Sequence, residues 1–183
     1  GSGGTQTAGW MAGGSSPSLV SCTEEYDGSS WSAGGALITA REAGAGGGSQ
    51  NAALAYTGAT PTILTCTEEY DGSSWSSGGA MITQRFYMGG DGTTSTQLAA
   101  GGKGPTYACS STEAYNGTSW STCANMSKRM CANSLVGDTT SALTFNGVNP
   151  PSDADYHMEE YVSTCASNIS ACANTWTAIA GLL

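Results

Sequence analysis

Adjacent glutamates stand at Glu24-Glu25, Glu68-Glu69 and Glu159-Glu160, and paired carboxylates are the equipment of general acid and base catalysis. Neighbouring residues of an extended strand point to opposite faces, however, so the two members of such a pair cannot serve one substrate atom. The pairs also recur along the chain, whereas an active site needs a single constellation. Asp27, Asp71 and Asn116 each precede a glycine and resemble calcium ligands, yet one side chain per turn falls short of the six to eight oxygens that calcium takes. They read as turn residues. His157 is the single histidine and no motif of a nucleophile surrounds it, so it reads as a structural or loop residue. No Cys-x-x-Cys pair accompanies it, which argues against zinc. The expectation is a protein without a catalytic, metal or cofactor site.

These residues belong to a phrase written three times: Thr23-Glu24-Glu25-Tyr26-Asp27-Gly28-Ser29-Ser30-Trp31, then Thr67 to Trp75, then Thr112-Glu113-Ala114-Tyr115-Asn116-Gly117-Thr118-Ser119-Trp120. Trp31 and Trp75 are 44 residues apart, Trp75 and Trp120 are 45 apart, and a degraded fourth copy runs from Glu159-Glu160-Tyr161 to Trp176. A period in the forties means either a propeller blade or a pair of solenoid helices. No window carries an apolar stripe at i, i+3 and i+4, so the helical option fails. Asp-Gly or Asn-Gly between residues rich in Thr, Tyr and Trp predicts a hairpin, with positive φ at both central positions of a tight type I′ turn. Before each hairpin lies an apolar strand running into glycine: Thr7–Gly14, Asn51–Gly58, Thr96–Gly102 and Ser141–Gly147. Arg41 and Arg85 follow Trp31 and Trp75 by ten residues, and Arg129 follows Trp120 by nine.

An apolar strand with diglycine, then Tyr-Asp, Trp and Arg, resembles the kelch repeat of β-propellers, over nearly the whole chain. The resemblance implies an all-β, kelch-like propeller as a single unit over residues 1–183, with blades near 1–36, 37–80, 81–125 and 126–183. The wording of the phrase is similar to repeats in structural proteins of environmental phages and other uncultured microbial sources. In kelch propellers arginine and glutamate commonly pair between blades, which implies that Arg41, Arg85 and Arg129 meet Glu24, Glu68 and Glu113 across the blade interface. Tyr26, Tyr70, Tyr115, Trp31, Trp75, Trp120 and Trp176 are expected as inter-blade packing rather than as a sugar-stacking array. Trp10, Tyr56, Phe86, Tyr87, Tyr107 and Phe145, outside the phrase, are expected to be more exposed. Copper oxidases of this fold need a histidine pair and sialidase-like propellers need an arginine cluster, and neither is present here.

The net charge is −9 with five Lys and Arg in 183 residues, so a nucleic-acid partner is not expected, and no apolar run is long enough for a membrane-spanning helix. Seven cysteines suggest an oxidising compartment, with disulfides Cys165–Cys172 and Cys123–Cys131 and at least one thiol left free or bonded to another chain. Sequons at Asn116, Asn125 and Asn168 are candidate glycosylation sites. The N-terminal residues do not read as a signal peptide, and the phase of the repeat leaves the first blade without its first strand, to be filled by upstream chain, by a segment from elsewhere in this chain or by a strand from a neighbouring subunit. Together these readings predict a non-enzymatic structural or adhesive module, extracellular or on a virion surface, that contacts other copies of itself by strand completion or in a ring or filament. The alternative is a glycan-binding or glycan-processing propeller with its site on the funnel face.

Overall fold

A computed structural model of the chain describes residues 1–148, 157–163 and 174–179. Among these residues there is no helix, and the strands form four antiparallel sheets of four strands each, every sheet built from strands in sequence order. Sheet I holds β1 (Ser2–Thr5), β2 (Ala8–Ser15), β3 (Leu19–Tyr26) and β4 (Trp31–Gly34). Sheet II holds β5 (Ala45–Ser49), β6 (Ala52–Tyr56), β7 (Thr67–Tyr70) and β8 (Trp75–Ser77). Sheet III holds β9 (Gly89–Asp91), β10 (Gln97–Ala100), β11 (Thr112–Tyr115) and β12 (Trp120–Cys123), and sheet IV holds β13 (Ser134–Gly137), β14 (Ser141–Phe145), β15 (Met158–Ser163) and β16 (Asn174–Ala178).

Sheet I is complete, which corrects the expectation of a missing first strand. Ser2-Gly3-Gly4-Thr5 pairs with Ala8 to Met11, and Gly4, at φ +101°, supplies the left-handed geometry beside the reversal. The position expected to await another subunit's strand is filled from within the chain. A strand of Gly and Thr has no apolar pattern, so it carried no readable strand signal.

The hairpins form where the phrase predicts them, but by a different turn. Tyr26 faces Trp31, Tyr70 faces Trp75 and Tyr115 faces Trp120, so each loop has four residues. Only the glycines, Gly28, Gly72 and Gly117, have positive φ. Asp27 Oδ1 accepts the amides of Ser29 and Ser30, both at 2.8 Å, and Asp71 and Asn116 repeat the arrangement. The side chain thus replaces the second left-handed residue that a type I′ turn would need. Hydrogen bonds from the Ser30 amide first, then from Ser29, hold the exposed Asp27 carboxyl down at about 2, and Ser74 and Ser73 do the same for Asp71.

The sheets pack in series, and the burial patterns record it. Ala53 to Tyr56 in β6 and all of β10 are buried on both faces, because sheets II and III each lie between two others. In β14 burial alternates, with Ala142 and Thr144 buried and Leu143 exposed; in β2, Trp10 and Ala12 are buried and Met11 is exposed. Three apolar clusters fill the three boundaries: Trp10, Ala12 and Leu37 against Ala53, Ala55, Tyr70 and Trp75; Leu54, Tyr56 and Met81 against Ala99, Tyr115 and Trp120; Leu98, Ala100 and Met126 against Ala142, Tyr161 and Trp176.

Candidate functional site: the boundary between successive sheets

The recurrent phrase converges at the sheet boundaries. The indole N–H of three tryptophans donates to a threonine hydroxyl of the preceding sheet: Trp75 to Thr23 at 2.8 Å, Trp120 to Thr67 at 2.9 Å and Trp176 to Thr112 at 3.1 Å. Tyr70 donates its hydroxyl to Glu25 Oε1 at 2.5 Å and Tyr115 donates to Glu69 Oε1 at 2.5 Å. Burial, with the adjoining carboxylate second, pushes both phenols above their ordinary value. The backbone amides of Gly35 and Gly79 in turn donate to these hydroxyls at 3.2 Å. A Cβ on Gly78 would sit 2.8 Å from Glu69 Oε1 and 2.9 Å from the Tyr115 hydroxyl, so a side chain there would have to displace the carboxylate or the phenol from this bond.

The third boundary solves the same problem with other atoms. Ala114 stands where Glu25 and Glu69 stand, and Cys123 takes the place of Gly34 and Gly78. With the carboxylate gone there is room for a side chain, and Tyr161 hydrogen-bonds the Cys123 sulfur. Burial raises both groups above their usual ranges.

The first glutamate of each pair does different work. Glu68 accepts the amides of Ile38 at 2.6 Å and Thr39 at 3.1 Å, in the segment that crosses from sheet I to sheet II, and forms a buried ion pair with Arg41. Glu113 accepts Ile82 at 2.8 Å and Thr83 at 3.1 Å and pairs with Arg85 at 3.2 Å. Arg41 also donates to the carbonyls of Thr57 and Cys66, and Arg85 to those of Gly101 and Ser111. All of these acceptors lie within the sheet or loops that follow the arginine. The expected pairing across two blades is therefore corrected: each arginine locks the crossing segment to its own sheet, while the second glutamate, Glu25 or Glu69, bonds the next one. The segregation follows from the pleat, which sends neighbouring residues to opposite faces.

Arg129 is a further correction. Position ten after Trp120 is Met130, which is buried, while Arg129 is exposed and lines a groove with Thr83 and Tyr107. Its offset of nine from the tryptophan was the available signal. Glu159, the fourth member of the clamp series, accepts the amides of Ser127 at 2.8 Å and Lys128 at 3.2 Å, and pairs with His157 Nε2 at 2.9 Å instead of an arginine. His157 sits four residues before Tyr161, where sheet II has Cys66 before Tyr70, and Cys66 Sγ is 3.2 Å from the Arg41 guanidinium. The two residues thus occupy one corner of equivalent clamps. Glu24, first in that series, is exposed and has no hydrogen-bond or ion-pair partner among the described residues.

Each phrase tyrosine stacks on the tryptophan of its own hairpin, with ring centroids 4.8 Å apart for Tyr70 and Trp75 and 5.1 Å for Tyr115 and Trp120. Trp75, Trp120 and Trp176 reach a neighbouring sheet, but Trp31 is exposed. Trp10 and Tyr56 are buried, against expectation, because they face the boundary: Trp10 meets Trp75 at 5.6 Å and Tyr56 meets Trp120 at 4.8 Å. Tyr87 and Tyr107 are exposed. Cys123 and Cys131 are both unpaired, correcting that disulfide; Cys123 faces Tyr161 while Cys131 Sγ lies 3.4 Å from the Val148 carbonyl. Cys165, Cys172 and Asn168 lie outside the described residues, and Asn116 and Asn125 are exposed.

A groove of about 430 Å³ is lined by the inner strands of all four sheets, including Ser2, Gly46, Gly89 and Ser134. Two of its polar side chains, Arg41 and Asn133, are already committed, while the exposed Glu42 lines the groove with no side-chain hydrogen bond among the described residues. Arg41 holds Glu68, and Asn133 donates to Ala100 O and Thr144 Oγ1 and accepts the Gly89 amide. A scan against protein-family models finds no match, and no curated protein matches the sequence.

Proposed function

We propose that the chain is a non-enzymatic structural or adhesive module, a kelch-like β-propeller segment working in an extracellular or virion-surface assembly. The observation that carries this reading is the repeated boundary. Glu25 and Glu69, members of the adjacent carboxylate pairs, and Thr23, Thr67 and Thr112 of the repeated phrase are each consumed by a bond to the following sheet. A molecule whose recurrent polar groups are spent on joining one blade to the next works by shape and by surface. Low charge and 27 glycines suit short strands with a polar, uncharged exterior, and the likeness of the phrase to repeats of environmental phage structural proteins supports a particle surface. The unpaired Cys123 and Cys131 lend this placement no support, so composition and likeness carry it.

The test is immunolabelling of intact particles or cells of the source with an antibody raised to the exposed loop at Tyr107. Regular labelling of the outer surface is expected; label reached only after lysis overturns the placement. The groove shared by four sheets favours one second reading, a glycan site on the funnel face. Saturable binding on a glycan panel that is lost on Ser134→Trp would replace the structural reading with that one.

A further inference from the structure

Three boundaries inside the chain share one grammar: the earlier sheet offers acceptors and the later sheet offers tyrosine and tryptophan donors. Sheets I and IV each show one half of this boundary without the other. On sheet I the half that would meet an earlier sheet is bare. Trp31 is 52% exposed where Trp75 and Trp120 are 7% and 6%, Met11 is 45% exposed where Ala55 and Ala99 are 1% and 0%, and neither the Trp31 indole N–H nor the Tyr26 hydroxyl has a hydrogen-bond partner among the described residues. On sheet IV the half that would meet a later sheet is bare. Leu143 is 37% exposed where Leu54 and Leu98 are 0%, and Val136 and Glu160 lie beside it on the same face, in register across β13, β14 and β15. Glu160 occupies the position of Glu25 and Glu69, the acceptors for tyrosine.

We infer that sheet IV of one copy packs against sheet I of a second copy, with Glu160 accepting the Tyr26 hydroxyl and the Trp31 ring covering Leu143. The contact continues an interface that the chain already makes three times, and each face supplies what the other lacks. Met158 stands where Thr23, Thr67 and Thr112 stand, so Trp31 meets a thioether there instead of a hydroxyl, a favourable sulfur–aromatic contact. Using two different faces, the contact is heterologous and propagates to a ring or a filament according to the rotation per copy. This inference deepens the reading of the chain as an assembly module and fails separately from it: surface labelling of the particle could persist around a chain that never binds itself.

The experiment blocks one face at a time. Trp31→Glu disables sheet I and Leu143→Arg disables sheet IV; both sites are exposed, and circular dichroism with a thermal melt checks that each variant folds. Light scattering behind size exclusion, across a concentration series of the 183-residue chain, is expected to show wild type growing in mass and each variant staying monomeric. Mixed in equal amounts, the two variants should form dimers and nothing larger, because one good face of each kind remains. Tyr26→Phe and Glu160→Gln should each weaken association roughly tenfold, and together little more than either alone, since both remove one bond to a charged acceptor. A monomeric wild type overturns the inference, whether sheets I and IV stay open or close on each other within one chain. So does a dimer formed by either blocked variant alone, which would mean like faces meeting.

Discussion

At the residue scale, the lesson of this chain is that a side chain's neighbour in the strand decides less than its parity. Glu68 and Glu69 are adjacent, yet one clamps a crossing segment and the other bonds the next sheet. The pleat made their separation legible in the sequence; which face met which partner was not, because parity assigns sides without naming what lies there. Asp71 is a simpler case. Its folded-state value of about 2 lies below the usual ~3.9 of aspartate, so the turn's contribution to stability is complete above about pH 4 and is lost as pH falls through about 2. Carboxyl NMR should show Asp71 titrating with a midpoint near that lower value, with the Ser73 and Ser74 amides shifting alongside it. Asp71→Asn should abolish the amide titration and keep the turn, as Asn116 does in the third copy. A midpoint near 4 would mean that the carboxylate does not hold the two amides. The boundary residues admit a sharper test. Gly78→Cys alone pushes its side chain onto Glu69 and the Tyr115 hydroxyl and should cost about 1–3 kcal/mol, while Glu69→Ala leaves that buried hydroxyl without its acceptor and should cost about 1–2 kcal/mol. Combined, they reproduce the Ala114–Cys123 arrangement of the third boundary, and the double variant should be more stable than the sum of the singles by at least ~0.5 kcal/mol. Strict additivity in urea unfolding would show that the two substitutions arose independently.

At the element scale, the hairpins were legible because Asp-Gly and Asn-Gly between strand-forming residues leave little choice, whereas β1 was not. Ser2-Gly3-Gly4-Thr5 becomes a strand because β2 offers it a ladder, a tertiary cause that no local pattern announces. The arginine register departs from the sequence expectation for a related reason. Residue type suggested Arg129, but the clamp is set by position, and position ten after the tryptophan belongs to Met130. The fourth clamp compensates through His157, which approaches Glu159 from the corner where Cys66 meets Arg41. This compensation is transferable in principle. Arg85→Met should strand the buried Glu113, held then only by the amides of Ile82 and Thr83, and cost about 3–5 kcal/mol. Ser111 is the residue four before Tyr115, so Arg85→Met combined with Ser111→His rebuilds the fourth clamp inside the third sheet. The double variant should recover at least ~1 kcal/mol of the loss, measured by the urea midpoint at constant slope. No recovery would show that His157 only accompanies the missing arginine and does not replace it.

At the scale of the whole molecule, four sheets joined in series by similar boundaries behave as a short one-dimensional array, in which stability is close to a sum of unit and neighbour contributions. Sheets II and III have a neighbour on both faces, and sheets I and IV have one on a single face. The inner sheets should therefore open only with the loss of two boundaries, and the outer sheets with the loss of one. Amide hydrogen exchange reads this directly, since protection reports the free energy of the cheapest opening. In dilute solution, β6, β7, β10 and β11 should be the most protected segments, with β3 and β15 exchanging faster; β15 is the cleaner comparison, because its ladders are as regular as the inner ones while that of β2 and β3 shifts register between Ala12 and Gly14. Raising the protein concentration should change only the ends: Met11, Tyr26 to Trp31 and the strand bearing Leu143 should gain protection while sheets II and III stay constant. That pattern would follow from an added boundary between copies, because burying the bare halves gives the outer sheets the second neighbour that the inner ones already have. Uniform protection of all four sheets at every concentration would instead describe a unit that opens all at once, with no end to its array, and would rule out both the open series and its extension by a second copy.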